Sequence, residues 1–113
     1  MKPVLSEYDW QCIQSAKQMI EADIVLHYSI PEIAAEVGIN DNKLKIGFKQ
    51  KYNKGLYEYL KEKRLQKAAA LLKENNKPIH KIAATVGYAD ASTFIHAFKK
   101  AYGITPAKFR KKN

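Results

Sequence analysis

Six residues, Ile33-Ala34-Ala35-Glu36-Val37-Gly38, return 49 positions later as Ile82-Ala83-Ala84-Thr85-Val86-Gly87, and Phe48-Lys49 with Tyr52 returns 50 positions later as Phe98-Lys99 with Tyr102. A self-similar chain of this kind builds one supersecondary unit twice. Apolar residues within each copy recur at helical spacing and a glycine divides the copy, so each reads as helix, tight turn, helix. The offset grows by one in the stretch after each glycine, which places an extra residue in the second turn. At 113 residues the chain is large enough for one domain and too small for two independently stable ones, so both copies belong to a single domain spanning 1–113.

Local signals divide that domain into seven helices. Ser6 with Asp9 three residues on forms a capping pair, and Ile13, Ala16, Ile20 and Ile24 follow at helical spacing, which predicts a first helix over 7–24. A loop, Val25 to Tyr28, leads to Ser29-Ile30-Pro31-Glu32, a capping box with proline in a first turn that needs no N–H donor. The second helix runs over 30–37 and stops at Gly38, which supplies a left-handed conformation. Asn40 or Asp41 caps a third helix over 41–52, with Leu44, Phe48 and Tyr52 inward. Leu56, Leu60, Ala68, Leu71 and Leu72 place a long fourth helix over 56–75, and its charged middle, Lys61 to Arg64, is expected to bridge through solvent. Asn75 to Pro78 stops and restarts the chain. The fifth helix, 79–86, repeats the second. The sixth, 90–102, carries Phe94, Phe98 and Tyr102 inward from an N-cap at Asp90, and a last turn, 107–110, precedes a basic tail. No strand pattern appears. The expected fold is all-α: a helix-turn-helix subdomain over 6–55, a linker helix over 56–75 and a second helix-turn-helix subdomain over 76–113.

Charge narrows the partner. Residues 1–40 hold two basic and six acidic side chains, whereas residues 41–113 hold eighteen basic and five acidic, so a formal net charge of +9 is concentrated where the first candidate reading helix begins. Such a field favours a polyanion, through phosphate neutralisation and counterion release. Cys12, the sole cysteine, excludes an intrachain disulfide and reads as a small buried apolar residue. No apolar run approaches a membrane span, and the first residues lack the core of a secretory signal, so no membrane and a cytoplasmic location are expected.

A helix-turn-helix module lays its first helix across the phosphates and sends the N-terminal half of its second into the major groove. Ala34, Ala35, Ala83 and Ala84 are small enough to let the paired helices approach, while Phe48 and Phe98 anchor each reading helix. The face left for bases in the first unit is Asn42, Lys43, Lys45 and Ile46. Asn42 suits adenine, Lys45 suits guanine N7 or O6, and Ile46 suits a thymine methyl. In the second unit it is Ala91, Ser92, Ile95 and His96. Lys49, Thr93, Lys99 and Arg110, at the rims and in the basic end, are placed against phosphate.

With those residues in view, Val86-Gly87-Tyr88, Phe94, Phe98-Lys99-Lys100 and Tyr102-Gly103-Ile104-Thr105-Pro106 together resemble the DNA-binding region of the AraC/XylS family of bacterial transcription regulators. The likeness spans residues 6–110, and helix one and the passage Tyr59 through Arg64 to Leu72 also fit the family's pattern. It implies a homeodomain-like fold and binding to double-stranded promoter DNA with both reading helices in successive major-groove turns. It also implies contact with RNA polymerase, as family activators make, and either a stand-alone regulator or, as the favoured expectation, a C-terminal piece that follows an N-terminal sensing domain absent from this chain. The first unit departs from the second in two places. Lys54-Gly55-Leu56 stands where the second has Ile104-Thr105-Pro106, which predicts a looser exit, and Ile46 stands where the family often has a polar reader, so backbone and shape readout gain weight there.

Other classes fit less well. His27, His80 and His96 are scattered without metal-ligand spacing, no glycine-rich phosphate loop follows a strand, and no paired carboxylates face a cleft, so no catalytic residue, metal or cofactor is expected. A protein-interaction module using the acidic first 40 residues remains the alternative, with DNA affinity secondary.

Overall fold

The computed structural model describes residues 3–25 and 27–112; Met1, Lys2, the Leu26 of the expected loop and Asn113 lie outside the described residues. Among the described residues there are seven helices and no strand: α1 (Glu7–Ala22), α2 (Ile30–Val37), α3 (Asp41–Tyr52), α4 (Leu56–Glu74), α5 (Ile79–Thr85), α6 (Ala91–Tyr102) and α7 (Pro106–Lys112). The capping signals act where the sequence has them. The Ser6 hydroxyl accepts the Asp9 N–H while Asp9 accepts the Ser6 N–H, and Ser29 with Glu32 repeats the arrangement at α2. Asn40 caps α3, leaving Asp41 as its first residue, and Asp90 caps α6 from outside the helix.

Some ends differ from expectation. α1 stops at Ala22, so Ile24 sits in the following turn. α5 stops at Thr85 because Val86 is its cap, and α7 is a full helix beginning at Pro106 in place of a short turn over 107–110.

The chain forms two compact units, the first ending at Leu60 and the second beginning at Lys61, inside α4. In the first, Ile13, Ala16 and Ile20 of α1, Ile33 and Ala34 of α2, Leu44 and Phe48 of α3 and Leu56, Tyr59 and Leu60 of α4 are buried in one cluster. α3 approaches α1 closely at Gly47, where a methyl group would collide with Ile13 Cδ1 and stand 2.8 Å from Leu5 Cδ1. In the second unit Leu65, Ala68, Leu72, Ile82, Ala83, Val86, Phe94, Ala97, Phe98 and Pro106 are buried.

Three packing expectations change. Only Ala34 and Ala83 of the four alanines are buried, because one small residue per helix lies on the contact stripe and its neighbour turns 100° away to solvent. The middle of α4 is only partly solvated: Lys61 is exposed, Glu62, Lys63 and Arg64 are half-buried, and Leu60 and Leu65 on either side are buried. Tyr102 is 39% exposed although its ring stacks on Phe98 at 4.5 Å.

Candidate nucleic-acid interface

The two turns are built alike. Gly38 takes φ +85° and Gly87 φ +101°, conformations open to glycine at little cost. The carbonyl of Ala34 accepts the Ile39 N–H at 3.0 Å, and that of Ala83 accepts the Tyr88 N–H at 2.9 Å, so Ile39 and Tyr88 are counterparts. The caps Asn40 and Asp90 are counterparts one step later, each receiving the N–H three residues on. The extra residue of the second turn is therefore Ala89.

From those caps onward the reading helices match position for position at an offset of 50. Asn42, Lys45, Ile46 and Lys49 of α3 correspond to Ser92, Ile95, His96 and Lys99 of α6. Spacings of three, four and seven residues put each set on one helix face. Asn42, Lys45, Lys49, Ser92, His96 and Lys99 are exposed, and Ile46, Ile95 and Ala91 are half-buried at the edge of the apolar stripe. Each face thus offers polar tips, one aliphatic surface and a lysine two turns in. Beside the first face Lys45 and Lys49 border a groove of about 240 Å³ with Ile30, Gly55, Leu56, Tyr57 and Glu58.

Three side chains placed on the interface by the sequence also make contacts within the protein. Lys43 Nζ lies 3.3 Å from Asp9 Oδ2, and the Asp9 side chain is 7% exposed. Thr93 donates both its N–H (2.7 Å) and its hydroxyl (3.1 Å) to Asp90, which uses the donors a phosphate would need. Arg110 donates from Nη2 to the Lys77 carbonyl at 2.8 Å and from Nε to that of Leu72 at 3.4 Å, bracing the end of α4. Sequence patterning found Asp9 as a capping residue but missed its reach to Lys43, and it missed Tyr8. The Tyr8 hydroxyl donates to the Gly38 carbonyl at 3.0 Å, and no local signal links residues thirty apart.

The charges around these caps follow the hydrogen bonds. Asp90 is held below the usual carboxylate range, first by the backbone N–H of Thr93 and then by its hydroxyl. The Ser6 backbone N–H does the same for Asp9, with Lys43 adding to it. Among the described residues no three His, Cys, Asp or Glu side chains gather as a metal site, and no helix is long and apolar enough to cross a membrane.

Two helix-turn-helix units with basic, outward second helices define a DNA-binding protein of the double helix-turn-helix class. A helix-turn-helix domain family matches residues 33–112. Regulatory protein SoxS of Salmonella typhimurium is 30% identical over 100 residues, covering 88% of this chain and 94% of SoxS. The HTH-type transcriptional activator CfaD of Escherichia coli is 31% identical over 93 residues, 82% of this chain and 35% of CfaD. The C-terminal domain of AraT, a response regulator from Geobacillus stearothermophilus, superimposes with a TM-score of 0.86 at 29% identity, over 98% of this chain and 89% of that one. The chain belongs to the AraC family of bacterial transcription regulators. It spans about a third of the length of several curated relatives, including two from Streptomyces and one from Streptococcus mutans.

Proposed function

We propose that α3 and α6 are recognition helices that enter the major groove of double-stranded promoter DNA, in successive turns as the likeness to the AraC family implies. Asn42, Lys45 and Ile46 meet base edges in one half-site, and Ala91, Ser92, Ile95 and His96 in the other. Lys49 and Lys99, further along each helix, meet phosphates and set register. The observation that carries this reading is the pair of matched outward faces, equal in spacing and each ending in an exposed lysine. Lys43, Thr93 and Arg110 are given no DNA contact in this reading, since each already makes a hydrogen bond or ion pair within the protein.

In this reading the chain is a binding domain and not an enzyme. It works in the bacterial cytoplasm beside RNA polymerase and under an N-terminal sensing domain. Gel shift on a duplex at two salt concentrations tests the core of it: binding should fall steeply with salt, and binding without a salt slope would exclude phosphate contact.

A further inference from the structure

The side chain at the third position of each recognition helix is turned back onto an aspartate. In α3 Lys43 meets Asp9; in α6 its counterpart fifty residues on, Thr93, meets Asp90. The two aspartates are not counterparts. Asp90 is the cap of α6 itself, whereas Asp9 belongs to α1 and reaches α3 across the core, 34 positions away in the chain. Different parts of the fold therefore serve the same end.

We infer that Asp9 is a positioning residue for DNA recognition, which holds the Lys43 ammonium on the protein side of α3 and so removes a sequence-blind phosphate contact from the N-terminal end of the first reading helix. The inference rests on the DNA-binding reading above.

Three observations support it. Asp9 is 5% exposed, so its carboxylate has little access to water and gains from a cationic partner. One oxygen, Oδ2, accepts both the Ser6 N–H at 2.9 Å and the Lys43 ammonium, which ties α3 to the start of α1. The same end of α1 grips this helix-turn-helix twice more, through the Tyr8 hydroxyl on the Gly38 carbonyl and through Leu5 and Ile13 against Gly47.

The consequence for recognition follows from what phosphate contacts do. They add affinity equally on every sequence, whereas base-edge contacts add it only on the right one. A lysine at the mouth of the groove, with a flexible four-carbon stem, would find a phosphate on any duplex. Held by Asp9 it does not, and the base-edge contacts of Asn42 and Lys45 carry a larger share of the binding. In α6 the same position is uncharged.

Salt titrations of binding to a labelled duplex of random sequence test this in the whole chain, with Asp9→Asn, Lys43→Gln and the double variant beside the unaltered protein. Asparagine keeps an oxygen for the Ser6 N–H, and circular dichroism checks the fold. Asp9→Asn should steepen the salt slope by about one counterion, seen as roughly three- to fourfold more affinity lost across a fourfold rise in salt. Lys43→Gln alone should leave the slope unchanged, and the double variant should return to it. A slope flattened by about one in Lys43→Gln, or unchanged in Asp9→Asn, would overturn the inference. In the DNA-free chain, NMR titration should show the Asp9 carboxyl moving up on Lys43→Gln; an unmoved carboxyl also overturns it. Absence of salt-dependent binding by the unaltered chain would instead remove the DNA reading itself, and that outcome is visible before any variant is compared.

Discussion

Tyr59 stands edge-on to Phe48, with ring centroids 5.6 Å apart and planes at 68°. Fifty residues later Phe109 does the same to Phe98, at 5.3 Å and 76°. Each pair is closed by a third ring, Tyr52 at 4.7 Å from Phe48 and Tyr102 at 4.5 Å from Phe98. The internal repeat thus runs further in space than in sequence. Leu56 and Pro106, both buried, begin α4 and α7 at matching positions, and left-handed Asn53 and Gly103 end α3 and α6 through the same N–H to carbonyl bond. The first unit's exit is therefore not looser than the second's, although Lys54-Gly55-Leu56 and Ile104-Thr105-Pro106 share no residue.

Each trio should bear much of its unit's stability. Phe48 and Phe98 are fully buried, and replacing either by alanine should cost about 3–5 kcal/mol through lost burial and the cavity left behind. Trp10, the sole tryptophan, packs against the first core, so its fluorescence in a urea titration should report Phe48→Ala directly. An unchanged midpoint for that variant would contradict the anchoring role.

Two helix-associated glycines should respond with opposite signs. Alanine at Gly47 gains helix propensity but drives a methyl into Ile13, and overpacking of that kind costs about 1–3 kcal/mol. Alanine at Gly55 meets no atom within 4 Å and should be neutral or stabilising by about 0.4–1 kcal/mol. Thermal midpoints of the two variants decide it; stabilisation by both would mean that α1 and α3 are less closely packed.

Readers and clamps separate by selection on random duplexes. Lys45→Ala or His96→Ala should change base preference in one half-site, at a cost of about 1–3 kcal/mol on the preferred sequence. Lys99→Ala should weaken all sequences alike and flatten the salt slope by about one. Equal, sequence-blind losses from all three would overturn the assignment.

Acid should loosen the second reading helix at its cap. The Asp90 carboxyl titrates below its unfolded value in the folded chain, so its stabilisation is complete above the ordinary carboxylate range of about pH 4 and is lost as pH falls through the lowered value. Asp90→Asn keeps a capping oxygen without that acid dependence. The stability gap between the two proteins should shrink from neutral pH towards about pH 3. A constant gap would show that Asp90 ionisation contributes nothing to the fold.

Much of this protein was legible because its information is local. The boxes Ser6/Asp9 and Ser29/Glu32 and the caps Asn40 and Asp90 act within one helical turn, and the stripe Leu44, Phe48, Tyr52 repeats within a single helix. The outward faces could be read by subtraction from those stripes. Helix ends were less legible: proline at 106 initiates α7 only because Thr105 accepts the Lys108 N–H at 3.3 Å and the ring is buried.

The sequence alone determined the repeated helix-turn-helix, the all-α class and the sign of the field, since periodicity, capping and charge depend on residues close together in the chain. Only the tertiary structure decided which side chain pairs with Asp9. Lys43 and Lys45 look alike in the sequence, yet one is held by a carboxylate 34 positions away and the other is exposed. Long flexible side chains choose partners by proximity in space, and packing α1 against α3 creates that proximity.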